Sequence, residues 1–294
     1  MLDRQQLETF ARVVEFQHFR RAAAALNISP GAVSQRIKTL EEVVGALLLI
    51  REPVVVPTKA GEEVLRYITS VRLQEGDLLQ RVMPGRFAPT DFALAVNADS
   101  LATWFEPVAR QLAQLHLALE IVVDDQDYTL GALARGEVKG CISTERMPLG
   151  GFVAEFAGRM RYLCVATPGF AAKFFASGLA LRDALKATSI LFNRKDTLHD
   201  AFLASRFGVT VGRYVKHYFP SPEALLNAIL DDLGYGLVPA MQAEHLVSTG
   251  KLVDLSPGHD LMVELYWHHW ELEPEPLVRV SALVMDYARR SLIQ

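Results

Sequence analysis

Cysteine occurs only twice in these 294 residues, as Cys141 and Cys164. Two are too few for a disulfide framework, and neither belongs to a Cys-x-x-Cys or Cys/His spacing that holds a metal, so a reduced, cytoplasmic setting is expected. Long apolar runs are missing as well. None reaches membrane-spanning length, and the opening MLDRQQLETFARVVEF mixes charge into an amphipathic pattern unlike a secretory leader. No GxSxG elbow and no GxxxxGK[ST] loop occurs, and GYG at 234–236 lacks the third glycine of a dinucleotide fingerprint. His268 and His269 are neighbours on a predicted strand, so they point to opposite faces and do not share a metal. Trp104, Phe105, Phe174 and Phe175 read as core. No catalytic residue, cofactor or metal site is therefore assigned. A strong charge excess is lacking too, since the net charge is −4. That average hides a division: residues 1–61 carry eight Lys/Arg against six Asp/Glu, which leaves −6 for the rest.

What is present begins with two apolar stripes at helical spacing. Leu7, Phe10, Ala11 and Val14 form one, and Phe19, Ala22, Ala23 and Leu26 form the next. Asn27 suits the left-handed residue that ends the second helix, and Ser29-Pro30 suits the N-cap and first position of a third. This is a tight helix-turn-helix. In the third helix, Val33, Ile37 and Leu40 must face the core, which turns Gly31, Gln35 and Lys38 outward with Ser34 and Arg36 beside them. Such a face is small, polar and cationic near a helix N-terminus, where backbone N–H groups favour phosphate and a glutamine can read adenine. Ser29, Arg20, Arg21 and Arg51 complete the expected contact set for double-stranded operator DNA. Downstream, Val64, Ile68, Val71, Leu78 and Val82 follow alternating steps of four and three, as in a helix that pairs with its own copy, with Glu75 at the remaining seam position. A homodimer is expected, its two recognition helices each reading a half-site.

From about residue 90 strands and helices alternate: FALAV, a helix from Ser100, LALEIVV, a helix near Tyr128 to Arg135, and KGCIS. That is the rhythm of an open parallel sheet. A second unit begins near Arg161 with YLCVA, a helix through Phe170 to Phe175, SILFN, and a helix from Pro222 capped by Ser221. VELYWHH and a last helix, Glu275 to Leu292, return to the first unit. The fold class is thus α+β and multidomain: a winged helix-turn-helix at 1–58, a linker helix at 59–88, and a two-lobed α/β domain at 89–294. Lobe I takes 89–160 and 265–294, and lobe II takes 161–264. A ligand then belongs between the lobes, at the carboxyl ends of the strands.

The pattern Ala22, Ala23, Leu26, Ser29, Ala32, Val33, Ser34, Arg36, Ile37, Leu40, Glu41, Gly45, Leu48, Arg51, Thr58 and Gly61 resembles the winged helix-turn-helix of LysR-type transcriptional regulators. AVNADSLATWFEPV (95–108), ARGEVKGCIST (134–144), FNRKDTLHDAF (192–202) and LYWHHW (265–270) extend the likeness to the ArgP/LysG-type branch, which controls export of lysine and arginine. It spans essentially the whole chain. The wing departs from the pattern: REPVVVPT (51–58) holds one arginine, an acidic Glu52 and three valines where the family commonly carries more basic residues. The resemblance implies an effector domain like a periplasmic solute-binding protein, a non-covalent effector and further assembly to tetramers.

Charge supports a basic amino acid as that effector. The helix from Ser100, and Ser221 in the second lobe, offer N–H groups and hydroxyls to an α-carboxylate. Asp99, Asp124, Asp125, Asp127 and Asp196 gather where strands should end, with Asp99 and Asp196 the best partners for a lysine or arginine side chain and Asp124 next. Asn97 and Thr144, within two of the matching stretches, are counted with them. Each aspartate also has a plainer reading, as a helix cap or a solvated turn. An aromatic or sulfur-containing carboxylate is the alternative effector. A solute receptor without a regulatory role is the alternative function, and it leaves residues 1–86 unexplained.

Overall fold

The computed structural model describes residues 2–83, 90–115, 117–123, 130–133, 135–210 and 213–294. The chain opens with α1 (Arg4–Phe16), α2 (Phe19–Ala25) and α3 (Pro30–Val44). Asp3 caps α1 by accepting the Gln6 N–H, and Ser29 caps α3 by accepting from Ala32. Asn27 adopts φ 54°, the left-handed turn expected between α2 and α3. Phe10, Val13, Val33, Ile37, Leu40 and Leu48 are fully buried in one core, each stabilising the domain by roughly 1.5–3 kcal/mol. The wing is a short hairpin of β1 (Leu49–Ile50) and β2 (Val56–Pro57). It leads into α4 (Lys59–Val82), whose N-cap Thr58 accepts from Gly61 and donates to the Leu47 carbonyl.

Helix α4 does not present the continuous free seam that its spacing predicts. Val64 and Ile68, with Leu65, are buried in the winged-helix core, and Leu73 is buried in the core of the next domain. Val71 lines a hollow of about 180 Å³ between α1 and α4. Glu75 pairs with Arg4 at 3.0 Å. Only Leu78 (53%) and Val82 (63%) of the five expected seam residues are largely exposed.

The second domain contains β3 (Thr90–Val96), α5 (Ala98–Ser100), a π-helical turn (Leu101–Phe105), α6 (Glu106–Leu112), β4 (Leu117–Val123) and β5 (Cys141–Ser143). There follow β6 (Phe152–Ala166), α7 (Pro168–Phe174), α8 (Leu181–Ala184), β7 (Ser189–Leu191), α9 (Leu198–Phe207) and β8 (Lys216–Tyr218). The chain ends with α10 (Pro222–Leu230), β9 (Tyr235–Pro239), α11 (Ala240–Ser248), β10 (Val253–Asp254), β11 (Leu261–Trp270) and α12 (Glu275–Ser291). Among the described residues the strands form one nine-stranded sheet in the order β4-β3-β5-β11-β6-β9-β7-β8, with β10 beside β6. The β4-β3-β5 end, covered by α6 and α12, is lobe I, and the β9-β7-β8 end with α7 to α11 is lobe II.

Two corrections follow. The sheet is mixed rather than parallel, because β6 and β11 run antiparallel through both lobes; the expected lobe boundaries at 160/161 and 264/265 fall inside these strands. Strand β6 also starts at Phe152, ten residues before YLCVA. Charged Glu155, Arg159 and Arg161 along its first ten residues obscure the alternation. The register shifts between Leu265 and Tyr266, opposite Gly158. Gly158 has φ 134°, and a Cβ there would stand 2.6 Å from Leu292 Cβ, so only glycine fits this close approach.

Candidate DNA-reading face and ligand cavity

Two surfaces carry the chemistry. On the first, α3 buries Val33, Ile37 and Leu40 and leaves Gly31, Ser34, Gln35 and Lys38 exposed, with Ser29 at its N-terminus and Arg20 and Arg21 exposed on α2. Lys38 lies 3.8 Å from Glu42, both exposed, a pair too weak to withhold the lysine from a phosphate. Arg36 is placed differently from its expected role. Its guanidinium donates to Thr9 Oγ1 (3.2 Å) and Gln5 Oε1 (3.0 Å), tying α3 to α1. Arg51 is anchored too, 3.6 Å from the buried Glu41 carboxylate and over the Phe19 ring. Glu41 in turn accepts the Leu48 N–H. His18 caps α2 by accepting the Arg20 N–H, a role that no sequence pattern here announced.

The second surface is a cavity of about 510 Å³ between the lobes. It opens at the carboxyl ends of β3, β5 and β7, where parallel strands present their loops. Lobe I supplies Asn97, Asp99 and Thr144; the crossing strands supply Tyr162 and Val263; lobe II supplies the 192–199 segment, Pro220, Pro222 and Gln242. Four expected effector residues, Asn97, Asp99, Thr144 and Asp196, thus line one space. Two others do not. The helix begins at Ala98 rather than Ser100, so Ser100 is fully buried behind the wall. Ser221 spends its hydroxyl accepting from Ala224 at the start of α10 and is not part of the lining. Asp124, Asp125 and Asp127 lie outside the described residues.

Asp99 is no helix cap. Its carboxylate accepts the Tyr162 hydroxyl at 2.7 Å. Burial pushes its pKa up, the Tyr162 hydrogen bond pulls against that, and the nearby Asp196 carboxylate adds to the rise. Asp196 accepts the Phe192 and Leu198 N–H groups at 3.0 and 2.9 Å, so it both starts α9 and faces the cavity. His199, also in the wall, is pushed down to about 4 by burial and is neutral at pH 7. Its Nδ1, with Asn97 Oδ1 and Gln242 Oε1, is buried without a hydrogen-bond partner among the described residues. Burying unpaired polar atoms is costly. The wall is therefore rich in acceptors and carries two carboxylates, while Lys195, Thr144 and Thr197 bring donors to the same space. Tyr162 was missed at the level of sequence because its role depends on a strand that crosses between lobes.

The two conspicuous histidines serve packing. His268 Nε2 meets the Glu145 carbonyl at 2.7 Å, and His269 sits 3.3 Å from Glu273. Among the described residues no group of three His, Cys, Asp or Glu is placed to hold a metal, and no helix is long and apolar enough to cross a membrane.

Comparison with known proteins divides the chain into the same two parts. Residues 4–62 match the family described as bacterial regulatory helix-turn-helix protein, lysR family, and residues 90–288 match the LysR substrate binding domain. The chain is 39% identical over 284 residues to the HTH-type transcriptional regulator ArgP of Photobacterium profundum, covering 96% of this chain and 95% of that protein. The crystal structure of ArgP from Mycobacterium tuberculosis superimposes with a TM-score of 0.86 at 34% identity, covering 100% of this chain and 99% of the other. Full-length LysG from Corynebacterium glutamicum with bound effector Arg gives 0.83 at 32% identity and covers 100% of both chains.

Proposed function

The chain belongs to the LysR family of bacterial transcriptional regulators, a non-enzymatic family that binds DNA through its helix-turn-helix and a small effector through its second domain, and on that premise we propose that its effector is lysine or arginine and its targets are genes for basic amino-acid export. One observation carries the reading: the Asp99 carboxylate, whose burial raises its pKa, and the half-buried Asp196 carboxylate face the same cavity. Two close carboxylates repel, and a ligand cation between them relieves that cost. Lys195 and the hydroxyls of Thr144 and Thr197 then receive the α-carboxylate. The likeness to ArgP and to an arginine-bound LysG supports the same assignment. In this reading the protein acts in the cytoplasm as a homodimer or as a tetramer made of two such dimers. Ligand binding shifts the balance between lobe arrangements, which changes how the dimer sits on its operator.

Calorimetric titration tests it. Arginine and lysine are expected to bind, and their neutral counterparts citrulline and norleucine to bind at least tenfold more weakly. Equal affinity for charged and neutral ligands, or tight binding of an aromatic carboxylate instead, overturns the assignment while leaving the DNA-binding role untouched.

A further inference from the structure

Lysine and arginine carry the same charge, so the Asp99 and Asp196 carboxylates attract both alike. The two differ in their donors: an ammonium directs its N–H groups from one nitrogen, whereas a guanidinium spreads more of them in a planar fork over three. Telling them apart falls to neutral, directional acceptors in the cavity wall. His199 at the start of α9 is such an acceptor. Its ring is fully buried and packs against Tyr235 at 5.1 Å and Tyr214 at 5.6 Å between centroids. The Tyr235 hydroxyl lies 3.0 Å from the Ala184 carbonyl, which can only accept, so the hydroxyl donates there. Its oxygen is left to accept from His199 Nε2 at 3.2 Å. That bond places the ring proton on Nε2 and leaves Nδ1 bare. The neighbouring Asp200 carboxylate accepts from Tyr214 (2.5 Å) and Lys216 (3.3 Å) instead of from the ring, and burial keeps the ring uncharged at pH 7. Nδ1 has no hydrogen-bond partner among the described residues, and His199 lines the cavity while Tyr235 and Ala184 do not. Two amide oxygens in the same wall share that condition. Asn97 stands at the N-cap of α5 without the usual side-chain bond to a helix N–H, its Oδ1 buried and unpartnered, and Gln242 Oε1 on α11 is buried and unpartnered too.

We propose that His199, held by Tyr235 as the tautomer with a bare Nδ1, is the specificity-determining residue of the cavity: Nδ1 accepts one guanidinium N–H while Asn97 Oδ1 and Gln242 Oε1 accept others, so arginine is preferred over lysine. An ammonium spent on the two carboxylates has too few donors for these acceptors, and each one left unpaired in a buried wall costs affinity. Asn97 belongs to lobe I, and His199 and Gln242 belong to lobe II. A ligand that satisfies all three therefore also bridges the lobes. This assignment rests on the effector being a basic amino acid and names which group in the wall chooses between the two.

Calorimetric titration of the full-length protein with arginine and with lysine tests this. The parent is expected to bind arginine about tenfold more tightly than lysine, the loss of about one well-made hydrogen bond on the lysine side. His199→Phe keeps an aromatic ring but no acceptor, and it should weaken arginine about tenfold while leaving lysine within about twofold. His199→Asn, whose amide oxygen stands near the Nδ1 position, should keep the preference for arginine. Nitrogen-15 spectra of the histidine-labelled parent, with the His199 signals identified by their absence from His199→Asn, give a readout that packing alone does not move. Nδ1 should be unprotonated without ligand, and its signal should shift on adding arginine and stay in place on adding lysine. A proton on Nδ1, equal affinity of the parent for the two amino acids, or a preference that survives His199→Phe overturns the assignment. Should His199→Phe fail to fold, the Nδ1 signal and His199→Asn decide it. If both amino acids bind alike, only this assignment falls; if neither binds, the effector reading falls and takes this assignment with it.

Discussion

Asp99 illustrates how a carboxylate in the proposed effector site is held at a cost to the fold. Its carboxyl is buried, and burial together with Asp196 raises its pKa above the ordinary aspartate value despite the Tyr162 hydrogen bond. A raised folded-state pKa means that the native chain holds this proton to higher pH than the unfolded chain does, so stability falls as pH rises from about 3.8 through the raised value. Asp99→Asn removes that cost and keeps an oxygen for Tyr162. Its melting temperature without ligand is expected to exceed that of the parent at pH 7, with the gain shrinking toward pH 4, as calorimetry will measure. The same substitution should weaken arginine by about 2 kcal/mol or more, roughly thirtyfold in Kd. Affinity of the parent for arginine should rise with pH through the same range. A variant that loses stability at pH 7 and binds arginine as before would contradict both halves of this account. Arg36 shows the opposite economy: a residue that looks ready for phosphate is spent holding α3 to α1.

Among the elements, α4 carries the sharpest consequence, because its apolar residues divide between uses. A dimer seam through Val64 and Ile68 would need side chains already committed to the winged-helix core. Ile68→Asp is therefore expected to destabilise the winged helix itself, by about 3 kcal/mol or more as an unpaired charge enters a core, and circular dichroism should register the loss. We propose that self-association uses the far end of the helix and the hollow beside α1 instead. Leu78→Asp with Val82→Asp changes two exposed residues, so light scattering should show dissociation with the melting curve preserved. Dissociation accompanied by unfolding, or an intact dimer, would count against that placement. The entry to α4 is equally constrained. A Cβ on Gly61 would stand 2.2 Å from the Leu48 carbonyl oxygen, so Gly61→Ala should displace the wing and cost operator affinity without touching a DNA-facing side chain.

For the molecule as a whole, the sequence made local pattern legible and left spatial partnership obscure. Ser29, Asn27 and the Val33-Ile37-Leu40 stripe specify helix, turn and buried face within a few residues, and the structure places all of them as expected. Asp99 and Asp196 were readable as polar residues at strand ends, which is where an α/β sheet opens its cavity. Tyr162, the first half of β6 and the double allegiance of α4 depend on contacts between residues far apart in the chain, so no local periodicity carries them. Net charge shows the same limit. The value of −4 says little about a surface on which Gln35, Lys38, Arg20 and Arg21 are exposed together while Arg36 and Arg51 are held by internal partners. DNA affinity should then rest on few phosphate contacts. Each phosphate neutralised contributes about −0.9 to the slope of log K against log salt. If one Lys38 in each half-site meets a phosphate, Lys38→Ala in a dimer should flatten that slope by about 2 and weaken all sequences alike. Gln35→Ala should leave the slope unchanged and lose roughly 1–3 kcal/mol of discrimination at one base pair. Arg36→Ala should act through stability, since its removal frees Gln5 and Thr9 rather than a phosphate. Titrations of operator and scrambled duplexes across a salt series separate the three outcomes, and a slope lowered by Gln35→Ala but not by Lys38→Ala would reverse the assignment of the reading face.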